Sequence, residues 1–268
     1  MFLSEIRRRP EHAPDPARFP WSLPLVRDLS ALEFAAPVTF LVGENGSGKS
    51  TLLEGLAAGM DVVAAGRHDL KRDPSLAAAR EFAAGYFFVR RRHARTRLVL
   101  RAEDVFGFTT RVADDMAGLA REERELSDSL PDGYGRLIAT GAVRGQRLAL
   151  ERGYGADPDA RSHGETFLAL LQKRLVPKGL YFLDEPETPL SPGRVLALMI
   201  ILADRVAEGC QFVIATHSPI LMALPGAAIL LAENGAFRPA EWGELEHVRV
   251  TRAFLNDPQG TLRHLFAE

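Results

Sequence analysis

The residues Gly43-Glu44-Asn45-Gly46-Ser47-Gly48-Lys49-Ser50 fit the pattern G-x-x-x-x-G-K-S/T in full. An apolar run, Val38 to Val42, precedes them, and Thr51-Leu52-Leu53-Glu54-Gly55-Leu56, which reads as helix, follows. Glycines in such a loop let successive backbone N–H groups point into one concavity, and the helix N-terminus adds the positive end of its dipole. Gly43, Asn45, Gly46, Ser47, Gly48 and Thr51 are therefore candidate lining for a triphosphate. Lys49 would reach the β- and γ-phosphates as a mobile point charge, and the Ser50 hydroxyl would ligate a Mg2+ ion bridging them.

Two further groups end apolar runs. Leu180-Tyr181-Phe182-Leu183 leads into Asp184-Glu185-Pro186. Asp184 is placed to hold Mg2+ through its water shell, and Glu185 to polarise a water for in-line attack on the γ-phosphate. Phe212-Val213-Ile214-Ala215 leads into Thr216-His217-Ser218-Pro219. An imidazole there can hydrogen-bond the γ-phosphate or the attacking water.

The elements that must position these groups follow from patterning. Val38–Val42, Leu180–Leu183 and Phe212–Ala215 read as buried parallel strands, each stopping at polar residues. In open α/β sheets ligands sit beyond the carboxyl ends of strands, so the loop from Gly43, the Asp184–Glu185 pair and Thr216–His217 should converge. More than a hundred residues separate the first two runs, which implies an insertion. Met116, Leu119, Leu126 and Leu130 are spaced for helix before a Pro131-Asp132-Gly133 turn, predicting a helical lobe over about 111–176. Thr96, Leu98 and Leu100 alternate with Arg95, Arg97, Val99 and Arg101, predicting a strand with one basic face. Glu11 to Pro24 reads as a proline-rich surface loop, and Ala232-Glu233-Asn234-Gly235 as a hairpin turn. The stretch Glu244 to Phe266 reads as helix broken near Pro258, packed on the core and without chemistry of its own.

Composition narrows the class. Apolar residues at 46% and charged residues at 25% supply a core of ordinary size, so 1–268 is read as one α/β domain carrying a lobe. A net charge of −2 gives no bulk reason for a nucleic-acid partner or an anionic membrane. The local cluster Arg90-Arg91-Arg92-His93 with Arg95 and Arg97 could meet nucleic-acid phosphates, although a solvated strand edge is the commoner use of such a run. Cys210 is the only cysteine, which excludes disulfides and cysteine metal clusters within one chain and fits a reducing cytoplasm. Met1–Pro10 lacks the order of a signal peptide, and the longest apolar stretch, Val195 to Ala203, is too short for a bilayer, so no direct membrane insertion is expected.

The order of these motifs resembles the ATP-binding-cassette ATPases, especially the soluble branch that includes chromosome-maintenance and recombination ATPases. The resemblance spans most of the chain and implies a P-loop core with a mostly parallel sheet flanked by helices. Gly43–Ser50 is similar to that family's Walker A, Leu180–Glu185 to its Walker B with the catalytic glutamate, Pro189–Pro192 to its D-loop, and Thr216–His217 to its switch histidine. Ser162-His163-Gly164-Glu165 is similar to its signature segment. The same four residues form an S-x-x-E capping box ahead of Phe167, Leu168, Leu170 and Leu171, a helix start with free amides able to grip a γ-phosphate. The resemblance implies that Ser162 and Gly164 complete the ATP site of a second copy, so that ATP and Mg2+ draw two chains together as a homodimer. Two departures stand out. The family's Q-loop glutamine has Glu103 as its nearest counterpart, a metal or water ligand at best, and no adenine-stacking aromatic is evident beyond Phe19 and Trp21, which could equally be packing.

The leading expectation is therefore a Mg-dependent ATPase acting as a switch on an unknown protein partner. An ATP-supplying subunit for a transporter with separate membrane chains is the alternative, and a P-loop kinase or GTPase a third. The missing Q-loop glutamine and the short signature weigh against the transporter reading.

Overall fold

The computed structural model describes residues 1–12, 14–64, 77–154 and 163–266. Strands β1 (Leu3–Arg8), β2 (Ala31–Glu33), β3 (Val38–Gly43), β4 (Val63–Ala64), β5 (Tyr86–Arg90), β6 (Thr96–Arg101), β7 (Gly179–Asp184), β8 (Gln211–Ala215), β9 (Ala228–Glu233) and β10 (Ala236–Pro239) make two sheets. Among them run helices α1 (Pro24–Arg27), α2 (Lys49–Gly59), α3 (Ala77–Ala84), α4 (Ala102–Ser129), α5 (Tyr134–Tyr154), α6 (His163–Arg174), α7 (Pro192–Ala207), α8 (Glu246–Asn256) and α9 (Pro258–Phe266).

The three apolar runs predicted as parallel strands are β3, β7 and β8, side by side in a seven-stranded sheet of order β10-β9-β3-β8-β7-β6-β4. All pairings are parallel except the β9–β10 hairpin. Every residue of β3 and β8 is buried, the signature of strands covered on both faces. Asn234 (φ 51°) and Gly235 (φ 77°) make the predicted turn between β9 and β10, their positive φ values matching the right-handed twist of the strands.

A three-stranded antiparallel sheet, β2-β1-β5, packs with α2 and α3 against this sheet. Ile6, Leu52, Leu53, Leu56, Phe82 and Tyr86 share one core with Leu180, Phe182 and Val213. Gly55 allows α2 and α3 to touch: a Cβ there would lie 2.3 Å from the Phe82 ring. Gln211, 1% exposed, joins the two sheets. Its carbonyl accepts from the backbone N–H groups of Phe2 (2.6 Å) and Leu3 (3.0 Å), and its amide donates to the Leu3 carbonyl (2.7 Å).

Several local expectations change. Trp21 is fully buried, stacked on Phe82 and Tyr86, with its indole N–H donating to Glu81, so it is a core residue; Phe19 is exposed. The strand at 96–101 forms, but Val99 on its supposed basic face is buried, because a parallel strand is covered on both sides. Two of the clustered arginines have structural tasks. Arg90 donates to the Gly59 carbonyl and Arg97 to the Met60 carbonyl, both at 2.6 Å, and both approach Asp61. They satisfy the carbonyl end of α2, where a cation also suits the helix dipole. In the tail, Leu245 and Val248 are buried, but Leu255, Leu262, Leu265 and Phe266 are exposed, so only the start of α8 packs on the core.

The described chain divides into two units, Met1–Ala102 with Leu175–Glu268, and Glu103–Arg174. The second unit is helical. Arg144 and Arg147 of α5 both reach Glu123 of α4, at 2.5 and 3.3 Å, and hold its carboxyl below the usual range. No helix among the described residues is long and apolar enough to cross a membrane.

Candidate nucleotide site

The loop between β3 and α2 turns on residues that only glycine adopts easily. Gly46 has φ 77° and Gly48 φ 99°; Gly48 is the N-cap of α2, and a Cβ on it would stand 3.3 Å from Leu23. This conformation lets α2 begin at Lys49 with its N–H end open to the loop. Lys49 is buried, and its ammonium donates to the carbonyls of Gly43 (2.9 Å) and Glu44 (2.7 Å). Burial lowers its pKa, while the carboxylates of Glu185 and Asp184 oppose that shift.

Ser50, in the first turn of α2, meets Asp184 at the carboxyl end of β7, with Ser50 Oγ donating to Asp184 Oδ1 at 3.2 Å. Hard oxygen donors so placed suit Mg2+, which keeps most of its coordination for water and phosphate oxygens. Glu185 follows in a left-handed conformation, φ 47°, its N–H donating to the Ala215 carbonyl at 2.9 Å. A non-glycine residue held there is strained, which is common where a side chain must be aimed.

His217 continues β8. One ring nitrogen, Nε2, stands 3.8 Å from Glu185 Oε1, is closed to solvent, and has no hydrogen-bond partner among the described residues. Burial, with Lys49 nearby, lowers the His217 pKa and so favours the neutral ring, while Glu185 opposes that shift. Its backbone is fixed by Glu187, whose Oε1 accepts from the Thr216 hydroxyl (2.7 Å) and from the N–H groups of His217 (2.8 Å) and Ser218 (3.1 Å). His217 Nδ1 lies 3.1 Å from His247 Nε2 on α8.

The structure thus brings together Lys49, Ser50, Asp184, Glu185 and His217. Gly164 is buried in the first turn of α6, and Ser162 lies outside the described residues. Glu103 is on α4, with its side chain outside the described residues.

Over 192 residues the chain is 31% identical to the cytochrome c biogenesis ATP-binding export protein CcmA of Paramagnetospirillum magneticum, covering 70% of this chain and 77% of that protein. The chain belongs to the ATP-binding-cassette family of P-loop ATPases. Family profiles described as "AAA domain" and "AAA domain, putative AbiEii toxin, Type IV TA system" match residues 22–72 and 165–223, the stretches holding the phosphate loop and the Asp184–His217 region. Among solved structures, the SMC head domain from Thermotoga maritima is similar at 17% identity and TM-score 0.41, over 90% of this chain and 100% of that one. A nucleotide-free ATP-binding cassette from an ABC transporter is similar at 14% identity and TM-score 0.47, over 97% of both chains.

Within this cassette, sequence reasoning missed two residues. Glu187 stands two positions past Glu185, where the run Asp-Glu-Pro-Glu offers an unexplained third carboxylate. His247 left no signal at all, because its partner is 30 residues away and its own surroundings read as ordinary amphipathic helix.

Proposed function

We propose that the protein hydrolyses ATP with the help of Mg2+, that ATP draws two copies together head to tail, and that this cycle acts as a switch on a separate partner. The observation that carries this reading is the convergence of Lys49, Ser50, Asp184, Glu185 and His217 at the carboxyl edge of β3, β7 and β8. Lys49 exchanges its loop carbonyls for phosphate oxygens, and the loop amides with the α2 N-terminus hold the rest of the triphosphate. Ser50 and Asp184 would hold Mg2+, whose charge would neutralise that of the phosphates. Glu185 takes a proton from the attacking water, and His217 faces the same end through Nε2. Ser162 and Gly164 of the second copy supply the remaining amides. Glu103 is proposed as a further water or metal ligand.

The test is the Glu185→Gln variant assayed for nucleotide binding and phosphate release. ATP affinity should stay within a few-fold while turnover falls by about 10²-fold or more, the range for loss of a general base. Unchanged turnover would remove Glu185 from the chemistry and with it this reading.

The similarity to a named export protein favours a second reading, an ATP-supplying subunit working with separate membrane chains. Recovery of an integral membrane protein with the ATP-bound Glu185→Gln form would select it over a soluble partner.

A further inference from the structure

In its neutral form, which burial favours, His217 has a single N–H to offer, and which nitrogen carries it decides what the ring can do. If the proton is on Nε2, the ring can donate toward Glu185 and the terminal phosphate. If it is on Nδ1, Nε2 presents a lone pair to the Glu185 carboxylate 3.8 Å away, an anion facing an acceptor. Electrostatics therefore favours the proton on Nε2, which makes Nδ1 an acceptor in need of a donor. The group at hydrogen-bonding distance from Nδ1 is His247 Nε2, at 3.1 Å.

His247 is not a loose side chain that happens to drift there. It lies between Leu245 and Val248, which are 0% and 2% exposed and anchor the first turn of α8. A second bond, from the Trp242 indole N–H to the Pro219 carbonyl at 2.9 Å, ties the turn ahead of α8 to the loop that carries His217. The segments 217–219 and 242–247 are thus joined at two points. Across an open cleft from His247 and Arg249 stand Glu44, Asn45 and Ser47 of the phosphate loop, so α8 flanks the nucleotide site itself.

We propose that His247 is a positioning residue for His217: its Nε2–H donates to His217 Nδ1, holding the His217 proton on Nε2 where the γ-phosphate or attacking water can use it. This rests on the reading of His217 as the residue facing that phosphate. The first helix of the C-terminal tail thereby becomes part of the catalytic apparatus.

Two variants of the full chain separate this role from packing. His247→Phe keeps a ring and removes the donor, whereas His247→Gln keeps a donor near the Nε2 position and removes the ring. Steady-state ATP hydrolysis should show kcat reduced about tenfold in His247→Phe with KM for ATP within about twofold, and kcat within about twofold of wild type in His247→Gln. The opposite order, or no loss in either, overturns the proposal. The His217 tautomer is read independently by long-range proton–nitrogen NMR on nucleotide-free protein, with His217→Asn identifying the resonances. Nε2–H should dominate in wild type and His247→Gln and be lost in part or whole in His247→Phe; an identical tautomer in all three overturns the proposal. Should wild type show no hydrolysis, the ATPase reading falls, and the NMR comparison still decides the role of His247.

Discussion

Single residues hold the segment after β8 that carries His217. Glu187 satisfies three donors with one oxygen; in Glu187→Ala the Ser218 N–H keeps the Thr216 hydroxyl oxygen at 3.0 Å, but the His217 N–H loses its acceptor in a half-buried loop. A buried unsatisfied donor costs about 1–3 kcal/mol. Urea unfolding should therefore show a loss of about 2 kcal/mol, and phosphate release should slow as His217 loosens. His217 also makes a pH prediction. Its folded pKa is depressed, so the unfolded chain takes up that proton first, and stability declines as pH falls from about 6.5 toward the lower folded value. Unfolding midpoints measured from about pH 7 to about pH 5 should slope less in His217→Asn than in wild type.

Between elements, the decisive contacts are polar ones inside an otherwise apolar core. Gln211 begins β8 and holds the start of β1, so the N-terminal sheet is fastened to the strand that ends in His217. Gln211→Leu would bury the Phe2 and Leu3 N–H groups unpaired, with an expected cost of about 2–4 kcal/mol in urea unfolding. An unaltered midpoint would mean that water or a shifted backbone replaces the amide. The α2 helix is held at both ends: Gly48 opens it onto the phosphate loop, and Arg90 and Arg97 close its carbonyl end. The basic cluster that invited a nucleic-acid reading thus spends two of its members on a helix terminus.

At the scale of the whole molecule, one chain presents Lys49, Ser50, Asp184, Glu185 and His217 and, on the proposed reading, still needs Ser162 and Gly164 from another. Sedimentation of Glu185→Gln should give a dimer with Mg-ATP and a monomer without nucleotide. A monomer at saturating Mg-ATP removes the dimer while leaving ATP binding in place. The tail contributes in two parts: α8 reaches the site through His247, and the α9 face with Leu262, Leu265 and Phe266 stays exposed.

The sequence by itself determined the phosphate loop, the Asp184–Glu185 pair, His217 and the parallel strands behind them. These are local signals: a glycine loop with its lysine, and apolar runs that end in polar residues, dictate their own conformation within a few positions. Tertiary structure alone decided that Trp21 is core and that Arg90 and Arg97 cap α2. It alone also made Glu187 a clamp and brought His247 to His217. Each of those roles depends on a partner distant in the chain, and residue type does not encode which distant group will face it. An aromatic, an arginine, a glutamate and a histidine acquired their tasks only when the sheets and α8 folded around one edge.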